Sequence, residues 1–349
     1  MNPLWRYIEK FYTAADYAAL EAQRKKWCNT LPLKGKKILD ATPVFRNTLI
    51  KYAVLLDAGA DLTIAVGENI PFAPEILRLA PEFGIRVADE AALWEEFDAV
   101  ADCAGRHIKV KSRCGYAELT RSGLEYYRDA DFPVFSVDSG LLKRFETTIG
   151  TGKSFVRAMK ELHYDDFSGK KVTVFGGGKV GRGTAYFAAL AGADTVIVDK
   201  NPITPPPGTS RLDAAEKSTV INRIKDSWCV VSATGLAGVL AEYVPFLENS
   251  SALIANMGVE DEFGSGLSPE RVLNNKKPLN FILDEPTETR CIDPSMALSN
   301  EALLLLVQKK VAPGINLPPR ELEMAIIADI RRAGVMNREI ELILSEDKL

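Results

Sequence analysis

Short apolar runs alternate with longer segments of helical periodicity along most of the chain. The stretch "KKILDATPVFRNTLIKYAVLLDAGADLTIAV" predicts a strand, a helix that ends near Gly59, and a second strand. Further on, "APEILRLAPEFGIRVA" predicts a helix and a strand, "EFDAVADCAG" a short buried strand, and "GYAELTRSGLEYYRDADFPVFSVD" a helix and then a strand after Pro133. Strands that alternate with helices predict a parallel sheet covered on both faces.

A second α/β pattern begins after a helix predicted over about residues 152–164. It runs through "GKKVTVFGGGKVGRGTAYFAALAGADTVIVDKNP", "SWCVVSATG" and "SALIANMG", each of which predicts a strand with a loop at its carboxyl end. Open parallel sheets bind ligands at those ends. The stretch "PITPPPGTS" predicts an exposed loop, and the chain from "DPSMALSNEALLLLVQKK" onward predicts helices.

Composition limits the classes of function that the chain can have. It has 349 residues, which fits two domains, and hydrophobic and charged residues make up 46% and 26% of it. The net charge of −4 argues against a nucleic-acid partner. Neither a signal peptide nor an apolar run of membrane-spanning length is evident. Five dispersed Cys and two His predict reduced thiols in the cytoplasm and no metal site.

The stretch "KRFETTIGTGKS" ends in the Gly-Lys-Ser of ATP-binding loops. Such a loop needs a glycine five positions before Gly152, where this chain has Thr147, and a buried strand ahead of it. Neither condition is met. The stretch therefore predicts a hinge between the domains, in which Gly150 and Gly152 loosen the chain and Ser154 helps to start the following helix.

The glycines of "VTVFGGGKVGRG" have the spacing of a dinucleotide-binding loop. Gly176 permits a tight turn, Gly178 a close approach of backbone to a pyrophosphate, and Gly181 close packing of helix against strand. The next predicted strand ends in Asp199, whose carboxylate can accept hydrogen bonds from a ribose and would repel a 2′-phosphate. This pattern predicts NAD rather than NADP, although Lys200 weakens the preference.

The layout resembles the S-adenosylhomocysteine hydrolases. The similarity runs through "FPVFSVDSGLLKRFETTIGTGKSFVRAMK", the glycine-loop segment, "VVSATG", "ALIANMG" and "DPSMALSN", and covers most of residues 35–305. The resemblance implies a Rossmann NAD-binding domain, residues 151–293, inserted into an α/β substrate domain, residues 1–150 and 294–349. It also implies a bound NAD that oxidises a substrate hydroxyl, followed by elimination, water addition and re-reduction.

The resemblance is strongest for the cofactor. It implies contacts from both loops beyond the central strand and from a loop of the substrate domain. The predicted cofactor-binding residues are Gly176, Gly178, Lys179, Val180, Gly181, Asp199, Lys200, Thr120, Ser122, Ala233, Thr234, Gly235, Asn256 and Met257.

The catalytic residues of the family are largely replaced. "DCAG" puts Cys103, preceded by Asp102, where the family has Asp, and "ELTRSG" keeps Glu118 but puts Leu119 at the catalytic Glu. The alternative, which the residue types favour, is that Cys103 is a small buried residue and Glu118 a residue on a helix surface.

Further replacements follow in the later motifs. In "LKRFET", Lys143 is at most one place from the family's Lys, while Glu146 and Thr147 replace its Asp and Asn. Val259 and Asp293 stand where the family has His, and the Lys-Tyr tail is absent. Lys143 and Glu146 could instead be solvated on a hinge helix, and Asp293 could cap the helix that it begins.

These replacements leave three hypotheses for function. The first is an NAD-dependent oxidoreductase or lyase that oxidises a hydroxyl or amine of a small polar substrate in the interdomain cleft. The others are true adenosylhomocysteine hydrolysis and a non-catalytic protein that keeps NAD for regulation. The candidate catalytic residues are Lys143, Glu146, Cys103, Asp102 and Asp293, and the candidate substrate-binding residues are Asn47, Thr48, Glu118 and Thr147. His107 and His163 are predicted to be peripheral, and a homo-oligomer, a dimer or larger, is expected.

Overall fold

The computed structural model of the chain describes residues 3–346, which form two compact units. The division falls between Phe145 and Glu146 and again between Glu288 and Thr289. Unit 1 comprises the described residues up to Phe145 and those from Thr289 onward, and unit 2 is Glu146–Glu288. The predicted domains divide at 150/151 and at 293/294.

The strands follow one another along the chain and alternate with helices. They are β1 (Lys37–Asp40), β2 (Asp61–Ile64), β3 (Arg86–Val87), β4 (Glu96–Phe97), β5 (Ala99–Asp102), β6 (Lys111–Ser112), β7 (Tyr116–Glu118), β8 (Pro133–Ser136), β9 (Lys171–Phe175), β10 (Asp194–Asp199), β11 (Thr209–Asp213), β12 (Cys229–Ser232), β13 (Leu253–Asn256) and β14 (Gly314–Asn316).

The α-helices are α1 (Pro3–Ile8), α2 (Ala18–Trp27), α3 (Thr48–Asp57), α4 (Pro74–Leu79), α5 (Arg121–Leu124), α6 (Thr151–Glu161), α7 (Lys179–Leu190), α8 (Lys217–Asp226), α9 (Val244–Glu248), α10 (Thr289–Gln308), α11 (Arg320–Arg332) and α12 (Asn337–Glu346). A π-helical turn, Phe145–Gly150, precedes α6.

Unit 1 is built on a parallel sheet in the order β14-β8-β7-β5-β1-β2-β3. The chain runs outward from β1 through β2 to β3 and then returns to the other side of β1 at β5. The strand order therefore reverses at β1, and the carboxyl ends of β1 and β5 flank the position where such sheets bind ligands. The buried residues Leu39, Val100 and Val134 supply part of the core of this sheet.

Two strands of unit 1 lie where helices were predicted. Tyr116–Glu118 is a strand between β5 and β8, because all three side chains are buried and its backbone pairs on both sides. Gly314–Asn316 pairs with β8 at the edge of the sheet, within a region predicted to be helical throughout. Both segments have only three residues, too few for an alternating pattern to be recognised.

Unit 2 is built on a parallel sheet in the order β11-β10-β9-β12-β13. This is the strand order of a Rossmann domain, with the reversal at β9. Val172, Val174 and Val231 belong to the core on one face of the sheet, and Val230 and Ile254 to the core on the other. The prediction of two α/β units, with a Rossmann domain inserted in the chain of the first, is confirmed.

Glycines bring α6 and α7 close together inside unit 2. A Cβ at Gly152 would collide with the backbone of Gly183, and a Cβ at Gly183 would collide with the carbonyl of Thr148. Gly152 lies within α6, and Ser154 donates to the Gly150 carbonyl at 2.8 Å rather than capping the helix. The prediction that Gly152 loosens the chain is wrong, because this glycine allows the two helices to pack tightly.

Across residues 3–346, no helix is long and apolar enough to cross a lipid bilayer.

Candidate functional site

The loop between β9 and α7 has the geometry of a phosphate-binding turn. Gly176, directly after β9, has a φ of +100°, and a Cβ there would meet the Ala233 carbonyl at 2.5 Å. A Cβ at Gly181 would collide with the Gly176 carbonyl. Each glycine therefore permits a close approach of backbone segments that a side chain would prevent.

Gly178 differs from its neighbours because nothing lies within 4 Å of where its Cβ would be. It is exposed and precedes α7, whose first residues, Lys179 and Val180, are half-buried. The first N–H groups of a helix have no intrahelical acceptors, and the helix dipole favours an anion beside them. The open space at Gly178 thus lies where a pyrophosphate would need the backbone to be accessible.

Asp199 closes this loop from the end of β10. Its carboxylate accepts hydrogen bonds from the backbone N–H of Gly177 at 2.6 Å and of Asn201 at 2.7 Å. A carboxylate has about four lone-pair sites, so acceptor capacity remains for ribose hydroxyls. Lys200 is exposed.

The proline-rich loop after β10 is only partly exposed. Ile203 contacts the core of unit 2, and a Cβ at Gly177 would collide with its side chain. Arg182 donates to the Thr204 carbonyl at 2.9 Å. The loop therefore covers one side of the glycine turn instead of projecting freely into solvent.

The loops after β12 and β13 lie on the opposite side of β9 from Asp199. Thr234 and Gly235 both donate to Glu262: the Thr234 N–H and hydroxyl at 2.9 and 2.7 Å to Oε2, and the Gly235 N–H at 2.8 Å to Oε1. Glu262 is completely buried, and burial raises the pKa of its carboxyl group, while these three donors lower it. The sequence analysis did not identify Glu262.

Asn256 organises the second of these loops. Its Oδ1 accepts from the Ser232 hydroxyl and from the Gly258 N–H, both at 2.9 Å, and its Nδ2 donates to the carbonyls of Glu260 and Lys276. The side chain is buried, so within the protein it shapes the loop. Ala233 and Met257, the neighbouring predicted cofactor residues, are buried as well.

In unit 1 the predicted polar residues Asp102 and Glu118 are register partners on β5 and β7. Asp102 is buried and accepts from the Tyr127 hydroxyl at 2.6 Å, from the Cys103 N–H at 2.7 Å and from the His107 N–H. The His107 ring Nδ1 lies 3.2 Å from the same carboxylate. The prediction that His107 is peripheral is wrong, because it is buried against Asp102.

Glu118 is buried at the end of a strand, which contradicts the alternative that it lies on a helix surface. It accepts from the N–H groups of Ala104, Gly105 and Thr120 and from the Thr120 hydroxyl, at 2.6–3.1 Å. Burial, and then the charge of Asp102, raise the pKa of its carboxyl group. Thr120 also caps α5 by accepting from the Gly123 N–H, and Ser122 is exposed.

A buried ion pair lies at the carboxyl end of β1. Lys51 of α3 contacts Asp40, and both side chains are fully buried. Burial lowers the pKa of the Lys51 amine, which its contact with Asp40 opposes. Asp40 also accepts from the Thr42 N–H at 2.9 Å and so fixes the loop after β1.

The predicted substrate residues Asn47 and Thr48 are buried at the start of α3. The Thr48 hydroxyl donates to the Pro43 carbonyl at 2.7 Å and accepts from the Phe45 N–H at 3.3 Å. Thr48 therefore folds the loop that precedes α3.

Asp293 caps a helix other than the one that contains it. It lies inside α10, is buried, and accepts from the N–H groups of Ala19 and Leu20 at 2.8 and 3.0 Å, in the first turn of α2. Burial raises the pKa of its carboxyl group to about 7. This position favours a structural role for Asp293 over the catalytic one.

Three of the remaining candidates lie, along the chain, within a few residues of the division at Phe145/Glu146. Lys143 is buried in unit 1, with 3% of its surface exposed. Glu146 and Thr147 are half-buried in the π-helical turn Phe145–Gly150. Cys103 is buried and takes part in no disulfide.

Comparison with known proteins agrees with this fold and site. Residues 164–258 match a protein family described as "Putative NAD(P)-binding". The crystal structure of a dipicolinate synthase subunit from Bacillus halodurans shares the fold, with a TM-score of 0.55 at 12% identity, over 79% of this chain and 100% of that one. The glycine loop, Asp199 and the strand order therefore define an NAD-binding, Rossmann-type α/β protein, which confirms the cofactor prediction.

Within that class the chain is similar in sequence to adenosylhomocysteinases, as its motifs indicated. It is 25% identical to the adenosylhomocysteinase of Thermoplasma acidophilum over 276 residues, which are 70% of this chain and 67% of that protein. It is 26% identical to that of Halobacterium salinarum over 213 residues, or 52% and 50% of the two chains.

Proposed function

We propose that the protein is an NAD-dependent oxidoreductase or lyase that oxidises a hydroxyl or amine group of a small polar substrate. The observation that carries this proposal is the open backbone at Gly178, between a tight turn at Gly176 and the N-terminus of α7. NAD, when bound there, supplies the acceptor for a hydride from the substrate carbon. The similarity to the adenosylhomocysteinases supports a reaction of this class.

In this proposal the chain's own residues bind the cofactor and move one proton. Asp199 accepts hydrogen bonds from the adenosine ribose, and the N–H groups at the start of α7 bind the pyrophosphate. Lys143 accepts the proton of the substrate hydroxyl as the carbon loses hydride. Glu146 orients Lys143 or binds a substrate amine, while Asp102 and Cys103 contribute to the substrate side.

Adenosylhomocysteine hydrolysis is a poorer fit to the residues present. Val259 stands in the place of one family histidine and is 86% exposed, and Asp293, in the place of another, binds the N-terminus of α2. Neither side chain can perform the proton transfers of an imidazole at those positions.

One observation favours a regulatory protein that binds NAD without turnover. The carboxylates of Asp102 and Glu118 are buried, and each accepts hydrogen bonds from three or more groups of unit 1. A carboxylate with its acceptor sites occupied by backbone donors has little capacity left for substrate.

The purified protein distinguishes these functions. Absorbance at 340 nm is followed as small hydroxy acids, amino acids, nucleosides and adenosylhomocysteine are added in turn to the NAD-loaded protein. Formation of NADH, or release of an elimination product, supports the oxidoreductase or lyase, and Lys143→Met should then abolish it. Homocysteine release identifies a hydrolase, and inert, tightly bound NAD identifies the regulatory protein.

We also propose a homo-oligomer that works in the cytoplasm. Cysteines 28, 103, 114, 229 and 291 are all outside disulfides, as a reducing compartment would require. Light scattering coupled to size-exclusion chromatography tests the assembly, and a monomeric mass would contradict it.

A further inference from the structure

We propose that Glu262 is a positioning residue for the nicotinamide half of the cofactor site. The inference rests on the proposed use of NAD by this protein and adds a residue to its binding machinery. The structure gives Glu262 contacts with the loops that follow two different strands, β12 and β13, and these contacts lie entirely within unit 2.

The strand order places these loops on the nicotinamide side. Asp199, at the end of β10, lies on one side of β9, and the glycine loop follows β9 itself. A dinucleotide whose pyrophosphate lies at the central strand extends its two nucleosides towards opposite halves of the sheet. If the adenosine ribose is at Asp199, the nicotinamide half lies beside the ends of β12 and β13.

A single buried carboxylate holds the first of these loops. Oε2 of Glu262 accepts from both the N–H and the hydroxyl of Thr234, and Oε1 accepts from the N–H of Gly235. Gly235 has a φ of +72°, a conformation that this hydrogen bond helps to maintain. The backbone of the following segment is tied to the same region, because the Leu240 N–H donates to the Glu262 carbonyl at 2.8 Å.

The same carboxylate is packed against the second loop. A Cβ at Gly258 would collide with Oε1 of Glu262, so glycine is needed there for the carboxylate to reach Gly235. Gly258 in turn is held by Asn256. The two loops therefore share one buried carboxyl group and cannot move independently while it is in place.

Replacement of the carboxylate by an amide breaks this arrangement in either orientation. Glutamine has one acceptor oxygen and one NH₂ group. Thr234 and Gly235, however, direct donors at both of the positions that the two carboxylate oxygens of Glu262 occupy. In Glu262→Gln the amide NH₂ must face either the two donors of Thr234 or the N–H of Gly235. One loop contact is lost and a buried donor remains unsatisfied.

The test compares ligands that differ only in the nicotinamide half. Dissociation constants of NAD and of ADP-ribose, which lacks the nicotinamide ring, are measured by calorimetry for the wild type, Glu262→Gln and Glu260→Gln. The last is the matched control, because Glu260 is exposed and two residues away. We expect Glu262→Gln to weaken NAD about tenfold and ADP-ribose less than about twofold, and the control to change neither.

A second variant keeps the test decisive if Glu262→Gln does not fold. Gly258→Ala leaves the carboxylate chemically intact but pushes it away from Gly235, so it should reproduce the selective loss of NAD affinity. Equal losses for NAD and ADP-ribose, or no loss for either, would overturn the role of Glu262 while leaving NAD binding intact. A wild type that binds neither ligand would overturn the proposed function, and this inference with it.

Discussion

The carboxyl ends of the two parallel sheets use their polar groups in opposite ways. In unit 2, Gly178 leaves backbone accessible beside a helix N-terminus, and Asp199 keeps acceptor capacity. In unit 1, Asp40, Asp102 and Glu118 are buried and bound to their own loops. Two sheets with the same parallel construction therefore present very different chemistry to a ligand.

The difference agrees with the sequence comparison, because residues 164–258, which match an NAD(P)-binding family, lie in unit 2. A cofactor that is held mainly through backbone needs glycines and one carboxylate, which can persist at low sequence identity. A substrate site depends on individual side chains, and in unit 1 the buried carboxylates of Asp102 and Glu118 accept hydrogen bonds from groups of their own unit. The predictions that follow test this contrast, beginning with the largest expected effect.

The largest effect is expected for Lys51→Met, which tests whether the buried ion pair of Lys51 with Asp40 stabilises the fold of unit 1. It leaves the carboxylate of Asp40 buried without its cation, so we expect unfolding to become easier by about 3–5 kcal/mol. The double variant Asp40→Asn/Lys51→Met, which removes both charges, should recover much of that loss. Urea unfolding measures the stability of both variants. If Lys51→Met is as stable as the wild type, the buried polar groups of unit 1 do not serve its fold as we describe.

Asp293 predicts a pH dependence of stability. Its pKa is raised from 3.8 to about 7 by burial, so between these values the folded state holds a proton that the unfolded state has released. The contribution of this carboxyl group to the free energy of unfolding is therefore complete below about pH 4. It falls by up to about 4 kcal/mol as the pH rises to about 7.

Unfolding of the wild type and of Asp293→Asn across pH 4–8 isolates this contribution. The variant should lose less stability over the interval, whereas the exposed control Asp131→Asn should follow the wild type. Identical profiles for the wild type and Asp293→Asn would show that this carboxyl group has no raised pKa.

Two glycines of one loop should respond differently to the same change. Gly181→Ala places a methyl group against the Gly176 carbonyl and should destabilise unit 2 by about 1–3 kcal/mol. Gly178→Ala has room and a permitted backbone conformation, so it should keep its thermal stability while NAD binding weakens at least about tenfold. Equal stability losses would place Gly178 in the fold rather than in the cofactor site.

Glu118→Gln tests whether that carboxylate serves the fold or a substrate. Backbone and hydroxyl donors face both of its side-chain oxygens, and an amide NH₂ group would oppose one of them, so we expect a loss of about 1–3 kcal/mol in unfolding free energy. Glu125→Gln, on the exposed surface after α5, is the control. A stable variant that has lost only activity would identify Glu118 as a substrate residue.

The smallest expected effect concerns cofactor choice. Asp199→Asn keeps one acceptor but removes the charge that would repel a 2′-phosphate, so NAD should weaken about tenfold and the preference over NADP should shrink. Fluorescence titration with NADH and NADPH measures this change. If the ratio of the NADH and NADPH affinities is unchanged, Asp199 does not determine the choice of cofactor.

The parts of the fold that local sequence encodes could be predicted. The glycine loop, β9, α7 and Asp199 lie within one continuous segment, so their spacing alone indicated their arrangement. Glu262 could not be found in this way, because it lies 28 positions from Thr234 and meets it only through the pairing of β12 with β13.

Unit 1 was harder to predict for a related reason. Glu118 sits in a three-residue buried strand, a position that charged residues rarely occupy, and its donors come from a loop 13 and 14 residues earlier and from Thr120. His107 likewise contacts Asp102 only because the loop after β5 turns back on itself. Partners that are distant in sequence made these polar residues compatible with a core.

The close contact of Gly152 with Gly183 explains the glycine of the Gly-Lys-Ser tripeptide without ATP binding. Gly152 allows the close packing of α6 against α7. A larger residue at position 152 would separate α6 from α7, and we expect the displacement of α7 to weaken cofactor binding at its N-terminus.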